Sequence, residues 1–159
     1  MFTRMRTVYI DMDGVLAKWR KGADPHRRGY FLSCEPERKI IDLIHLMEKG
    51  GYHVVILSSV FQNGYAEMEK RIWLNANCVH ADFVAVPYGA NKSDYIREPG
   101  LLLDDYSENL HGWVKHGYRA VKYYNGINGN NHTWHGRGIS YRMNPLQMYY
   151  SLVDEMQYA

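Results

Sequence analysis

Two spacings of apolar residues recur along this chain: short unbroken runs, and longer stretches with a helical repeat. The first run climbs through Val8, Tyr9 and Ile10 to Asp11 and breaks at Gly14. It predicts a short buried strand that delivers Asp11 and Asp13 to its C-terminal end and then turns sharply at Gly14. Tyr52–Leu57 predicts a second buried strand, ending in Ser58-Ser59. Asp82–Val86, closed by Pro87, predicts a third. Leu101–Leu103, ending on the pair Asp104-Asp105, predicts a fourth, and Ala120–Tyr124 a fifth.

Helical repeats lie between these runs. One opens near Glu35-Pro36 with Pro at its first turn, carries Ile40, Ile41, Ile44, Leu46 and Met47, and stops at Gly50-Gly51. A second covers Gly64 to Ala76 with Met68, Ile72 and Trp73 apolar. Asn91 to Arg97 reads as a short helix starting at Lys92, and Ser107 to Lys115 as another helix. After Pro145, a last helix carrying Leu146, Tyr149, Tyr150, Leu152 and Val153 is expected to pack back on the domain. Strand and helix alternate over short connections, which predicts an α/β fold with βαβ units and a parallel sheet. The continuously apolar strands predict a sheet covered on both faces.

Two stretches lack a period. Residues 17–34 are broken by Gly22, Pro25 and Gly29 and crowded by Arg20, Lys21, Arg27 and Arg28, so they read as a loop or small hairpin excursion. From Asn125 through Gly138 turn-formers dominate, and the segment reads as loop or tight hairpin. Because it follows the fifth strand, it borders the mouth of any site at that sheet edge.

At 159 residues the chain is expected to form one domain. The 19 Lys and Arg against 17 Asp and Glu leave a net charge of +2, too balanced to argue for nucleic acid through bulk charge. Cys34 and Cys78 have no C-x-x-C spacing, which argues against a disulfide framework and for a reduced, cytoplasmic protein. No run approaches a membrane span, and Asp11 and Asp13 interrupt any signal peptide after Arg4 and Arg6.

Three predicted strands thus end in polar groups at one sheet edge: Asp11/Asp13, Ser58/Ser59 and Asp104/Asp105, with Lys92 just before the fourth. In open α/β sheets that edge is where ligands bind. Taken singly, each has a plainer account. Asp13-Gly14 fits a solvated turn, Ser58-Ser59 a strand terminus, Lys92 an exposed helix start and Asp104-Asp105 a helix cap. Together, four acids, a hydroxyl pair and an ammonium suit phosphoryl transfer. The acids hold a hard cation such as Mg²⁺, and the hydroxyl and ammonium meet phosphate oxygens.

The arrangement resembles the haloacid dehalogenase-like (HAD) superfamily of phosphatases over roughly residues 7 to 122. The four motifs match as Asp11-Met12-Asp13-Gly14-Val15, the strand ending in Ser58, Lys92, and Asp104-Asp105. The resemblance implies a Rossmann-like three-layer sandwich with a small cap insertion. It implies Asp11 as nucleophile, Asp13 as acid and base, and Mg²⁺ on Asp11, the Asp13 carbonyl and the Asp104/Asp105 pair. Gly14, Ser58, Ser59 and Lys92 then cradle phosphate. The layout is most similar to the 5′(3′)-deoxyribonucleotidase branch, whose caps offer aromatic residues to the base. Trp19, Tyr30 and Phe31, with Arg20, Arg27 and Arg28, stand in the matching place, although the larger helical cap of that branch is missing. A small phosphorylated substrate, a nucleotide in the first instance, is the partner implied. A sugar phosphate, a nucleic-acid 3′ phosphate, or an idle phosphate-binding module on the same fold remain alternatives.

His132, His135, His111 and His116 lack Cys or carboxylate partners at suitable spacing and read as surface or loop histidines rather than a zinc site. The Asn125–Asn131 tract lacks the lysine and hydroxyl of a P-loop and reads as turns.

Overall fold

A computed structural model describes residues 5–128 and 132–157. Six strands form one sheet: β1 (Thr7–Ile10), β2 (His53–Val60), β3 (Asp82–Pro87), β4 (Leu101–Asp104), β5 (Ala120–Tyr124) and β6 (Gly138–Ser140). They lie in the order β3-β2-β1-β4-β5-β6, and every pair is parallel. Four helices accompany them: α1 (Arg38–Lys49), α2 (Ala66–Ala76), α3 (Ser107–Lys115) and α4 (Pro145–Gln157).

Alternate residues of each strand face opposite layers. Val8 and Ile10 of β1 join Val54, Ile56, Leu101 and Leu103 in a core covered by α1, α2 and α4. Tyr9, Val55, Leu57 and Leu102 face the other way, onto Leu110 and Trp113 of α3. This is a Rossmann-like three-layer sandwich, and the central strands β1 and β4 are buried along their whole length. No helix among the described residues is long and apolar enough to cross a membrane.

Several expected boundaries move. β2 does not end at Leu57 but runs through both serines to Val60, because β3 pairs with it as far as Val60↔Pro87. α1 begins at Arg38 rather than near Pro36. Glu37 caps it by accepting from the Lys39 amide, and Pro36 stays extended in a bridge to Ala17. The buried face of α2 carries Ala66, Glu69, Lys70, Trp73 and Leu74, while Met68 and Ile72 are about half exposed. On α4 the packing is done by Met148, Leu152 and Met156, and Leu146 and Tyr150 are exposed. The segment 125–138 is not loop throughout: its end enters β6, a three-residue strand beside β5. Gly129, Asn130 and Asn131 of that segment lie outside the described residues.

The insertion, residues 17–34, packs on α2 and the residue before it. One turn of 3₁₀ helix (Phe31–Ser33) anchors it, and it lies against α2. The Gly29 amide donates to Glu69 (2.5 Å), the Trp73 indole donates to the Cys34 carbonyl (2.7 Å), and the Tyr65 hydroxyl donates to the His26 carbonyl.

Candidate active site

The C-terminal ends of β1, β2 and β4 converge on a cleft of about 490 Å³. Asp11, one residue past β1, is held in register by its amide donating to the Leu103 carbonyl (2.9 Å). The chain then folds back tightly, with the Met12 carbonyl accepting from the amides of Leu16 and Ala17 (both 2.9 Å). This turn needs glycine at position 14 for two reasons. Its φ is +83°, and a Cβ there would collide with the Asp105 carboxylate and the Trp19 indole.

Lys92 lies in a 3₁₀ turn (Lys92–Tyr95) and reaches under the sheet edge with almost no exposure. Its ammonium donates to Asp11 Oδ1 (2.7 Å) and Asp104 Oδ2 (2.8 Å). Asp104 also accepts from the Tyr106 amide (2.9 Å) and the Asn109 side chain (3.1 Å). Asp105 accepts from Asn128 (2.7 Å). Burial works against the charge on Lys92, but Asp104 and Asp11 outweigh it and hold the ammonium above the usual lysine range.

The carboxylates show the opposite strain. Burial, and then the neighbouring Asp104, hold Asp11 well above the carboxylate range and push Asp105 up to about 7. Asp11, Asp104 and Asp105 each turn one oxygen to within 4.8 Å of the others. Lys92 alone among the described residues offers these three buried carboxylates an ammonium within hydrogen-bonding distance, so together they are short of positive charge. An all-oxygen donor set with that deficit fits a divalent hard cation.

A second ammonium, missed from the sequence, completes the floor. Lys70 of α2 has no exposure to solvent. It donates to Asp13 Oδ2 (2.5 Å), Ser58 Oγ (3.0 Å) and the Ser59 carbonyl (2.8 Å), and sits 4.4 Å from the Phe31 ring centre. It thereby ties the first two motifs together. A signal was present, because 66, 69, 70, 73 and 74 follow the spacing of a helix's buried face. Two members of that stripe, Glu69 and Lys70, are charged, so a stripe judged by apolar residues alone falls on Met68 and Ile72 instead.

The structure brings Asp11, Asp13, Ser59, Lys92 and Asp105 to the cleft wall. Ser58 is fully buried beneath it and meets Lys70 instead. Of the insertion residues, Trp19 and Phe31 line the cleft. Tyr30 and Arg20 do not. The Tyr30 hydroxyl is buried and accepts from the Arg20 amide (3.2 Å), and the Arg20 guanidinium donates to Ser33 (2.5 Å). Asn125 and Asn128 border the site, with Asn125 donating to the Gly14 carbonyl (2.7 Å). This agrees with the expectation that the segment after the fifth strand borders the mouth, although neither asparagine stands out in the sequence as a partner of the acids. Among the described residues, the acids form the one cluster able to hold a metal, and His111 packs against Trp134 instead. A scan against protein-family models and a search of curated proteins both return no match for this chain.

Proposed function

We propose that this protein is a Mg²⁺-dependent phosphomonoester hydrolase of the HAD-like kind, acting on a nucleoside monophosphate. The observation that carries the reading is Lys92 bridging Asp11 and Asp104 in a buried cluster of three acids. Asp11 attacks phosphorus, forming the aspartyl-phosphate as the bond from phosphorus to the ester oxygen breaks. Asp13, held at Oδ2 by Lys70, gives a proton to the departing oxygen. It then takes one from the water that attacks the aspartyl-phosphate and frees inorganic phosphate. Lys92 and Lys70 offset charge on the phosphoryl oxygens while it redistributes. Mg²⁺ held by Asp11, Asp104, Asp105 and the Asp13 carbonyl supplies further neutralisation of those oxygens when bound. A cytoplasmic setting belongs to the same reading, since Cys34 and Cys78 are both free thiols.

The test is a panel of phosphate monoesters assayed with Mg²⁺ and with chelator, including nucleotides, sugar phosphates and 3′-phosphorylated oligonucleotides. Mg²⁺-dependent turnover led by nucleotides is expected, with Asp11→Asn lowering it by several orders of magnitude. Turnover led by another ester replaces the substrate. Phosphate binding without turnover replaces the enzyme with a binding module.

A further inference from the structure

One wall of the cleft takes no part in the phosphoryl chemistry. Phe61 is the first residue after β2 and Tyr88 the first after β3. Their ring centres are 5.0 Å apart with planes at 53°, and both line the cleft that holds Asp11 and Lys92. Phe61 is held by the insertion: His26 stacks on it at 4.1 Å, and Phe31 lies 6.3 Å away.

Tyr88 is the most exposed large apolar side chain among the described residues, at 71 %. Its backbone is not correspondingly loose. The Tyr88 amide donates to the Val60 carbonyl and the Ala90 amide to the Pro87 carbonyl, both at 3.0 Å. Gly89 takes φ +90° in that tight turn. The turn leads directly into Asn91 and Lys92, so one loop presents both the buried ammonium and a bare aromatic ring held out beside it. Tyr106, 48 % exposed, lines the same cleft. A ring fixed at a cleft mouth and left in water has its face free for another flat, weakly hydrated ring.

We propose that Phe61 and Tyr88 form a ring-binding subsite, so that the preferred ligands are phosphate monoesters whose organic part is a flat ring stacked on this pair. The subsite comes from the ends of β2 and β3; Trp19 and Phe31 of the insertion line the same cleft, while Tyr30 is buried. The proposal rests on reading the acid cluster as a phosphate site. It adds what lies beyond the phosphate.

The experiment compares adenosine 5′-monophosphate with glycerol 3-phosphate, which carries the same group without a ring. Binding is measured calorimetrically in Mg²⁺, and turnover alongside it, for the wild type, Tyr88→Ala and Phe61→Leu. Tyr88→Ala removes an exposed ring, and Phe61→Leu keeps apolar bulk in the wall while removing its flat face. The wild type is expected to bind the nucleotide more tightly. Each substitution should weaken nucleotide binding by roughly 5- to 150-fold while glycerol phosphate shifts by less than about 2-fold, on the scale of base–aromatic stacking. Equal wild-type affinity for the two esters, equal losses on both, or binding of neither overturns the subsite. Ring-dependent binding with no hydrolysis of either ester supports the subsite and overturns the hydrolase instead.

Discussion

An ammonium without access to water keeps its charge only where carboxylate and carbonyl oxygens surround it, and Lys70 has that setting in Asp13, Ser58 and Ser59. Replacing it with Met leaves Asp13 without its cation in a partly desolvated place. Because the Asp13 side chain is 16 % exposed and can recover some water, the loss of stability should fall near the lower end of the buried-pair range, about 3 kcal/mol. Urea unfolding checks it, and Asp13→Asn combined with Lys70→Met should cost less than the two separate losses added. In turnover, Asp13→Asn should harm alkyl phosphates more than aryl phosphates, whose leaving group needs no proton, since general acid–base help is worth about 10²–10⁴-fold. Equal losses on both ester types would remove Asp13 from the proton-donor role. Asp11 and the Asp104/Asp105 pair were legible as candidates because each closes an apolar run at a strand end, and Lys92 because it stands a dozen residues before Asp104 in the same order of motifs. Lys70 was not, because a lysine on a helix reads as solvated until the partner that buries it is known.

At the scale of elements, strands and helices with a clean period were legible almost to the residue, as at Ser107–Lys115 and Ala120–Tyr124. β6 was hidden because three residues carry no period, and the edge of β5 decides its conformation. The N-terminal end of β2 carries its own device. His53 lies between Asp82 of β3 (2.7 Å) and Glu98 (2.9 Å), and Glu98 also accepts from Thr7 of β1 (2.7 Å). Hydrogen bonds to Asp82 and then Glu98 raise the His53 pKa above its ordinary 6.5. A raised folded-state value means that His53 stabilises the fold fully below its unfolded pKa, and that this stabilisation is lost as pH rises through the folded one. His53→Ala should therefore lower the melting temperature more at about pH 5.5 than at about pH 9. The difference should be modest, since the side chain is half exposed. An equal drop at both pH values would show that only packing was lost.

For the molecule as a whole, the proposed metal site predicts that Mg²⁺ raises stability. Three buried carboxylates repel one another in the folded state and are separated in the unfolded chain. A cation that binds only the folded form stabilises it by mass action, about 2.7 kcal/mol at a hundred times its Kd. Melting should shift upward with Mg²⁺ and return with chelator, and Asp105→Asn should blunt the shift. No response to Mg²⁺, Mn²⁺ or Ca²⁺ would remove the metal from the site. The position of β1 has a further, kinetic consequence. It lies inside the sheet, yet Val8 pairs with Val54 on one side and Leu101 on the other, so neither border can form from neighbouring chain. Closing such long loops is slow, and helices form well before it is done. After dilution from denaturant, the far-ultraviolet helix signal should return ahead of catalysis. Activity should reappear only with the step that seats β4 beside β1, because that pairing is what brings Asp11 and Asp104 together.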